Sequence, residues 1–183
     1  MSRHKSFALS RRRFGLALVG ATAAPAALAA PPDLAGWDET RWGMSESELA
    51  RRLGRRSVRI APLDYKEFVV RATVPGLRLA GRPFVALLQL DRKTERLAQV
   101  LLRYRGDFPM LSDFVAVRDL LAKDLDSPAE RRAETDYRGS IPSFWIEAGW
   151  TFPTTTVVLS LVDQNADPLS GQRKTLTVRY SPR

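Results

Sequence analysis

Clustered arginines are the residues whose type and spacing could most readily do chemistry in this chain of 183 residues. Five of them fall within nine positions, without a lysine: Arg51, Arg52, Arg55, Arg56 and Arg59. Because a guanidinium group pairs bidentately with carboxylate and phosphate groups, the cluster could dock an acidic envelope protein or an anionic envelope polymer. The simpler interpretation, which we favour, is a solvated basic face at the end of a helix. The cluster lacks interleaved aromatic residues, so we expect no nucleic-acid partner.

Carboxylates are the other candidates for chemistry. Glu134, Asp136 and Glu147 could converge across a sheet as the acid and the base of a hydrolase that needs no cofactor. Charge pairing between neighbouring strands explains the same three residues equally well. We therefore keep a carboxylate-dependent hydrolase as an alternative function and assign no catalytic residue.

Cysteine is absent, and histidine occurs once, as His4. The absence of cysteine excludes thiol nucleophiles, disulfides, iron–sulfur clusters and thiolate zinc sites. His4 falls in a segment that we interpret below as a cleaved leader, so the mature chain would have no imidazole base or ligand. The sequence therefore predicts no cofactor, no cofactor-binding residue and no tightly held transition metal.

The first 29 residues are typical of an export signal. Positive charges crowd positions 3–13 without an acid, an apolar run follows at 15–24, and Ala27 and Ala29 have the spacing that a signal peptidase cleaves. That run is shorter than the ~20 residues that span a bilayer. We therefore expect a cleaved, periplasmic protein with no transmembrane segment. No cysteine stands at the cleavage point, so we also expect no lipid anchor.

Part of this leader resembles the twin-arginine consensus, in which Ser-Arg-Arg-x-Phe precedes a weakly hydrophobic core rich in alanine and glycine. The matching residues are Ser10, Arg11, Arg12 and Phe14, and Gly15 stands where leucine is common. The resemblance implies twin-arginine translocation, with the general secretory route as the alternative. The leader carries five of the positive charges behind the formal net charge of +9, which weakens any inference from total charge.

The elements that would position these groups begin with a short helix. Ser45, followed three residues later by Glu48, forms a capping box in which each side chain satisfies a backbone N–H at the helix start. Leu49 and Leu53 share one face, and Gly54 provides a stop. The sequence thus predicts a helix of about two turns that ends in the arginine cluster.

Strand-like patterns follow this helix. Segments 68–74, 84–90 and 97–104 are separated by turn signals at 75–76, 81–83 and 91–93, which predicts a three-stranded antiparallel meander. Apolar residues at helical spacing predict a second helix from about Ser112, ended by the Asp-Ser-Pro at 126–128. Four further strand candidates follow, at 131–137, 144–147, 154–161 and 176–180.

Helices and strands therefore alternate in blocks, which favours an α+β class with an antiparallel sheet covered by two helices. We place a proline-rich lead-in at 30–42 and a single domain at 43–183. The halves 43–107 and 108–183 could be a degenerate duplication of one helix-plus-meander unit, although we cannot align them residue by residue.

The pattern Trp-Gly-Met-Ser-x-x-Glu-Leu-x-x-x-Leu-Gly at 42–54 resembles the opening of exported bacterial proteins in which a helix precedes a β-meander. That group resembles the β-lactamase inhibitor protein fold and the small lipoprotein of the outer-membrane β-barrel assembly machinery. The resemblance implies a capped helix packed on a sheet, and action by binding other proteins rather than by catalysis. The chain departs from the group at Arg55 and Arg56, where a proline often follows the glycine, and it lacks the lipoproteins' anchoring cysteine.

We therefore predict an exported, non-enzymatic domain that binds a protein or assists in the envelope. A carrier that holds a small ligand between helices and sheet is a further alternative. The four tryptophans, at 37, 42, 145 and 150, are expected in the core or covering the sheet. Trp145 is grouped with the arginine cluster as a candidate for partner contact.

Overall fold

The structure is a computed structural model that describes residues 33–125, 130–136, 143–163 and 174–183, with the backbone alone at 130–136 and 143. Within these ranges the chain forms two α-helices and eight strands. In chain order they are α1 Glu46–Leu53, β1 Val58–Asp64, β2 Phe68–Leu79, β3 Arg82–Asp91, β4 Leu97–Tyr104, α2 Leu111–Asp124, β5 Glu130–Asp136, β6 Ser143–Thr151, β7 Thr155–Asp163 and β8 Lys174–Pro182.

The described strands form one antiparallel sheet in the order β1-β2-β3-β4-β8-β7-β6-β5. Each helix precedes four strands, and the two groups of four meet at the pair β4–β8. This confirms the predicted mixture of helices with an antiparallel sheet. Neither described helix is both long and apolar enough to cross a membrane.

The first group has four strands where the sequence predicts three. Almost every side chain of β1 is exposed, so the strand lacks the alternation of apolar and polar residues that identifies a half-buried strand. Arg59, Pro62 and Asp64 interrupt it further. β1 is therefore an edge strand that is paired through its backbone and has little burial to mark it in the sequence.

The predicted turn at Pro75 and Gly76 is wrong. These residues lie inside β2, where the pairing with β3 shifts register between Val74 and Leu77. A proline without an N–H and a glycine with a φ of 72° suit such a bulge as well as they suit a turn. The chain turns later, at 80–81, where both residues have positive φ, as a two-residue hairpin of type I′ requires.

The capping box of α1 is confirmed. The backbone N–H of Ser45 donates to Glu48 Oε2 at 2.7 Å, and the N–H of Glu48 donates to Ser45 Oγ at 3.4 Å. The bond from the Ser45 backbone N–H, and after it the bond that the Ser45 hydroxyl donates to Glu48 Oε2 at 2.8 Å, hold the pKa of Glu48 below its usual value. Gly54 ends the helix with φ 54° and ψ −131°, a conformation that glycine adopts without strain although it is not the left-handed helical one.

The second helix begins one residue before the predicted start. A carboxylate oxygen of Asp113 accepts from the backbone N–H of Met110 at 2.8 Å, and the other carboxylate oxygen pairs with Arg82 of β3. Asp113 therefore both caps α2 and ties its first turn to the sheet.

The main core lies on one face of the sheet. Along β7 burial alternates strictly, with Val157, Leu159 and Leu161 buried and the residues between them half-buried. Both helices contribute their buried side chains to the same hydrophobic cluster. They are Leu49 and Leu53 of α1 and Phe114, Val117 and Leu121 of α2.

Segment 33–42, the described part of the predicted lead-in, packs against both groups of strands, and we call it the strap. Its Trp37 is buried in the main core. The indole N–H of Trp42 donates to Thr155 Oγ1 at 2.9 Å, and that hydroxyl donates in turn to the carbonyl of Leu34. The N–H of Gly43, directly after the strap, donates to the carbonyl of Leu97 at 2.9 Å. The strap thus links β7 with the start of β4.

Candidate functional site

The five clustered arginines differ in their contacts with other described residues. Arg52 Nε donates to the carbonyl of Glu39 at 3.2 Å. Arg56 pairs with Asp38 and, at 3.1 Å, with the Glu39 carboxylate. The bond to Asp38 is the main cause of a raised pKa at Arg56. Two of the five side chains are therefore occupied in holding the strap.

Of the remaining three arginines, one forms an ion pair and two have no described side-chain partner. Arg59 pairs with Glu46 of α1 at 2.8 Å. Arg51 and Arg55 are exposed, and neither side chain forms a hydrogen bond or ion pair with another described residue. The sequence does not show that Asp38 and Glu39 are partners of this cluster. The only sign of it is that the two acidic residues stand shortly before the capped helix.

Of the candidate carboxylates, only Glu147 has a described side chain. Its Oε1 accepts a hydrogen bond from Ser160 Oγ at 2.6 Å. For Glu134 and Asp136 the backbone register places Trp145 and Ser143 opposite them on β6. The distance between the carboxylates of the hydrolase alternative lies outside the described residues. No group of three or more His, Cys, Asp or Glu among the described side chains is placed to hold a metal ion.

None of the four tryptophans is fully exposed. Trp37 and Trp150 are buried, whereas Trp42 and Trp145 are half-buried. Trp145 lies in β6 opposite Val162 of β7, on the face of the sheet away from the main core. The signal motif, Ser10, Arg11, Arg12 and Phe14, and the cleavage residues Ala27 and Ala29 lie outside the described residues.

The face of the sheet opposite the main core, which we call the open face, is polar at its centre. One row of directly paired residues crosses six strands there: Val85, Arg103, Thr177, Ser160, Glu147 and Arg132. Along β4, β6, β7 and β8 the described side chains of this face are half-buried or exposed. This part of the surface is stiff, because each of these four strands is paired on both sides with a neighbouring strand.

Arg179 is the most exposed charge in the middle of the open face. It lies in β8 directly between Leu101 of β4 and Val158 of β7, both of which are half-buried. The side chain of Arg179 forms no hydrogen bond or ion pair with another described residue. A guanidinium group beside apolar neighbours, on a stiff sheet, can pair strongly with a carboxylate once a partner excludes water.

The open face is packed more tightly toward β2 and β3. Val70 and Leu87 are buried there, although neither belongs to the main core cluster. Gln89 is buried beside them and accepts a bond from the side-chain amide of Gln99. The open face therefore has a closed apolar part at β2–β3 and an accessible polar part from β4 to β6.

Comparisons of the chain with models of known protein families, with curated proteins and with solved structures find no significant match.

Proposed function

We propose that this chain is an exported, non-enzymatic binding domain that contacts a partner protein through the open face. The observation that carries the proposal is Arg179, whose guanidinium group has no partner among the described residues and is flanked by Leu101 and Val158 in the middle of an eight-stranded sheet. Arginine surrounded by apolar side chains is enriched where binding energy is concentrated in interfaces. The partner that fits this surface presents a carboxylate bordered by apolar residues.

The proposal moves the contact surface away from the arginine cluster. Asp38 and Glu39 already engage Arg56 and Arg52, and Glu46 pairs with Arg59, so these three arginines of the cluster would have to exchange a partner within the chain for an acidic one outside it. The half-buried Trp145 lies on the open face and would border the contact. The resemblance at 42–54 to exported helix-plus-meander proteins that bind other proteins is consistent with this function.

The finer features of the fold belong to the same proposal. The helix-plus-four-strand order occurs twice, and the two groups meet at the antiparallel pair β4–β8. We interpret this order as a degenerate duplication in which two helices cover the core face and leave the other face for the partner.

Site-specific photocrosslinking in cells tests the contact surface. A photoreactive residue at Thr177, which lies two residues before Arg179 on the same face of β8, should give a discrete protein adduct. A photoreactive residue at the exposed Lys123 of α2 should not. Arg179→Glu should reduce the Thr177 adduct at least tenfold, and Arg55→Glu, at an equally unpaired arginine, should leave it unchanged. No adduct at Thr177, an adduct of equal yield at Lys123, or one indifferent to Arg179→Glu would contradict the proposal.

Export by the twin-arginine route is the second part of the proposal. Replacing Arg11 and Arg12 together with lysine should stop the appearance of processed protein in the periplasm, because the twin-arginine route requires the arginine pair itself. The general secretory route needs only positive charge there and would tolerate the change. Fractionation and immunoblotting measure this, with replacement of Arg3 by lysine as the control. Processed periplasmic protein from the double variant would assign the chain to the general secretory route.

A further inference from the structure

A cleft of about 400 Å³ lies beside the start of α1. Three arginines line it, each from a different element: Arg59 from β1, Arg71 from β2 and Arg96 from the connection between β3 and β4. Glu46 and Glu95 are the two carboxylates of its lining. We call it the α1 cleft. Its volume is in the range of sites for small molecules.

The carboxylates hold the guanidinium groups in place around the α1 cleft. Glu46 lies 2.8 Å from Arg59 and 3.7 Å from Arg71, and Glu95 binds Arg71 at 3.0 Å. Arg96 is held from outside the lining by Glu48, at 3.4 Å. Exposed ion pairs of this kind contribute little to stability. Their consequence here is that three arginines from distant parts of the chain are oriented before any ligand arrives.

Two of these arginines keep most of their donors. A guanidinium group carries five N–H donors. Among the described residues, the guanidinium group of Arg59 uses only Nη2, in its ion pair with Glu46, and that of Arg96 uses only Nη1, toward Gly43 and Glu48. Their side chains are 80% and 54% exposed, so a ligand can reach them from solvent.

The first turn of α1 adds donors to the same lining. Ser47 lies in the cleft, and the N–H groups at 46 and 47 have no acceptor within the helix because they belong to its first turn. The helix dipole favours an anion at this end. With Glu48 counted beside Glu46 and Glu95, three carboxylates balance the three arginines, so the main determinant is the set of guanidinium donors that Arg59 and Arg96 keep free of described partners.

We infer that the α1 cleft binds a small phosphorylated molecule. A phosphate group has three peripheral oxygens, which can accept from guanidinium groups that approach from different elements, whereas one arginine fork satisfies a carboxylate. Glu46 and Glu95 repel the anion and limit the affinity. This inference goes beyond the open-face proposal and is independent of it, because its residues come from α1, β1, β2 and the β3–β4 connection.

Titration with inorganic pyrophosphate, followed by two-dimensional ¹H–¹⁵N NMR at constant ionic strength, tests the inference. We expect saturable shifts of the Ser47 and Arg96 amides. Arg59→Gln and Arg96→Gln should each raise the dissociation constant at least fivefold. Arg55→Gln, which removes an exposed arginine outside the cleft lining, should change it less than twofold.

Three results would overturn the inference. They are shifts that do not saturate, an Arg59→Gln effect no larger than that of Arg55→Gln, and binding of citrate as tight as binding of pyrophosphate. The dispersion of each variant's spectrum shows whether that variant is folded. We expect both cleft variants to fold, because the substituted side chains are largely exposed.

Discussion

Replacing Phe114 with alanine should lower the free energy of unfolding by about 4 kcal/mol. The ring is 1% exposed, lies on α2 and belongs to the same cluster as the core side chains of the sheet. Alanine would leave a cavity that the surrounding strands can only partly fill. Thermal unfolding should show a midpoint lower by about 10 °C, and urea unfolding gives the free energy directly.

Leu111 provides the matched control on the same helix. Its side chain is 53% exposed, so Leu111→Ala should change the free energy of unfolding by no more than about 0.5 kcal/mol. Equal effects of the two substitutions would show that α2 does not pack its Phe114 face into the core.

Replacing Thr155 with valine should cost about 2 kcal/mol of stability, although the side-chain volume is nearly conserved. Thr155 is fully buried, and its hydroxyl both accepts from the Trp42 indole and donates to the Leu34 carbonyl. Valine would leave the Trp42 indole N–H without a bond, and the Leu34 carbonyl would keep only the bond from Thr154 Oγ1 at 3.1 Å. Chemical denaturation measures the loss, and the strap should become more accessible to protease at the same time.

The neighbouring Thr154 separates this effect from a general effect of threonine loss. Its hydroxyl bonds Asp33 at the surface, so Thr154→Val should cost about 0.5 kcal/mol or less. Combining Thr155→Val with Trp42→Phe removes donor and acceptor together and should cost less than the sum of the single changes. Strict additivity would mean that the indole and the hydroxyl do not interact.

Local chemistry is what the sequence predicts best in this chain. The start of α1 follows from Ser45 and Glu48 alone, because a capping box is complete within four residues. The wrong turn at Pro75 and Gly76 has a local cause as well, since turns and bulges favour the same two residues. Only the pairing of β2 with β3 decides between them.

The candidate surfaces depend on pairing between distant segments, which the sequence does not show. Arg179 is an ordinary arginine in β8 until β4 and β7 place Leu101 and Val158 on either side of it. Two members of the arginine cluster, Arg52 and Arg56, likewise have partners that the sequence does not show. Asp38 and Glu39 reach them only because the strap folds back against α1.

The position of β8 between β4 and β7 has a consequence for how the chain folds. α2, β5, β6 and β7 all lie between β4 and β8 in the sequence, so the pair that joins the two groups closes a long loop. Contacts of high sequence separation slow folding, because the entropy of loop closure is lost before the contact forms. Until β8 arrives, β4 and β7 each present an unpaired edge to other chains. We therefore expect aggregation to be most severe during synthesis and refolding, and to be relieved once β8 joins the sheet.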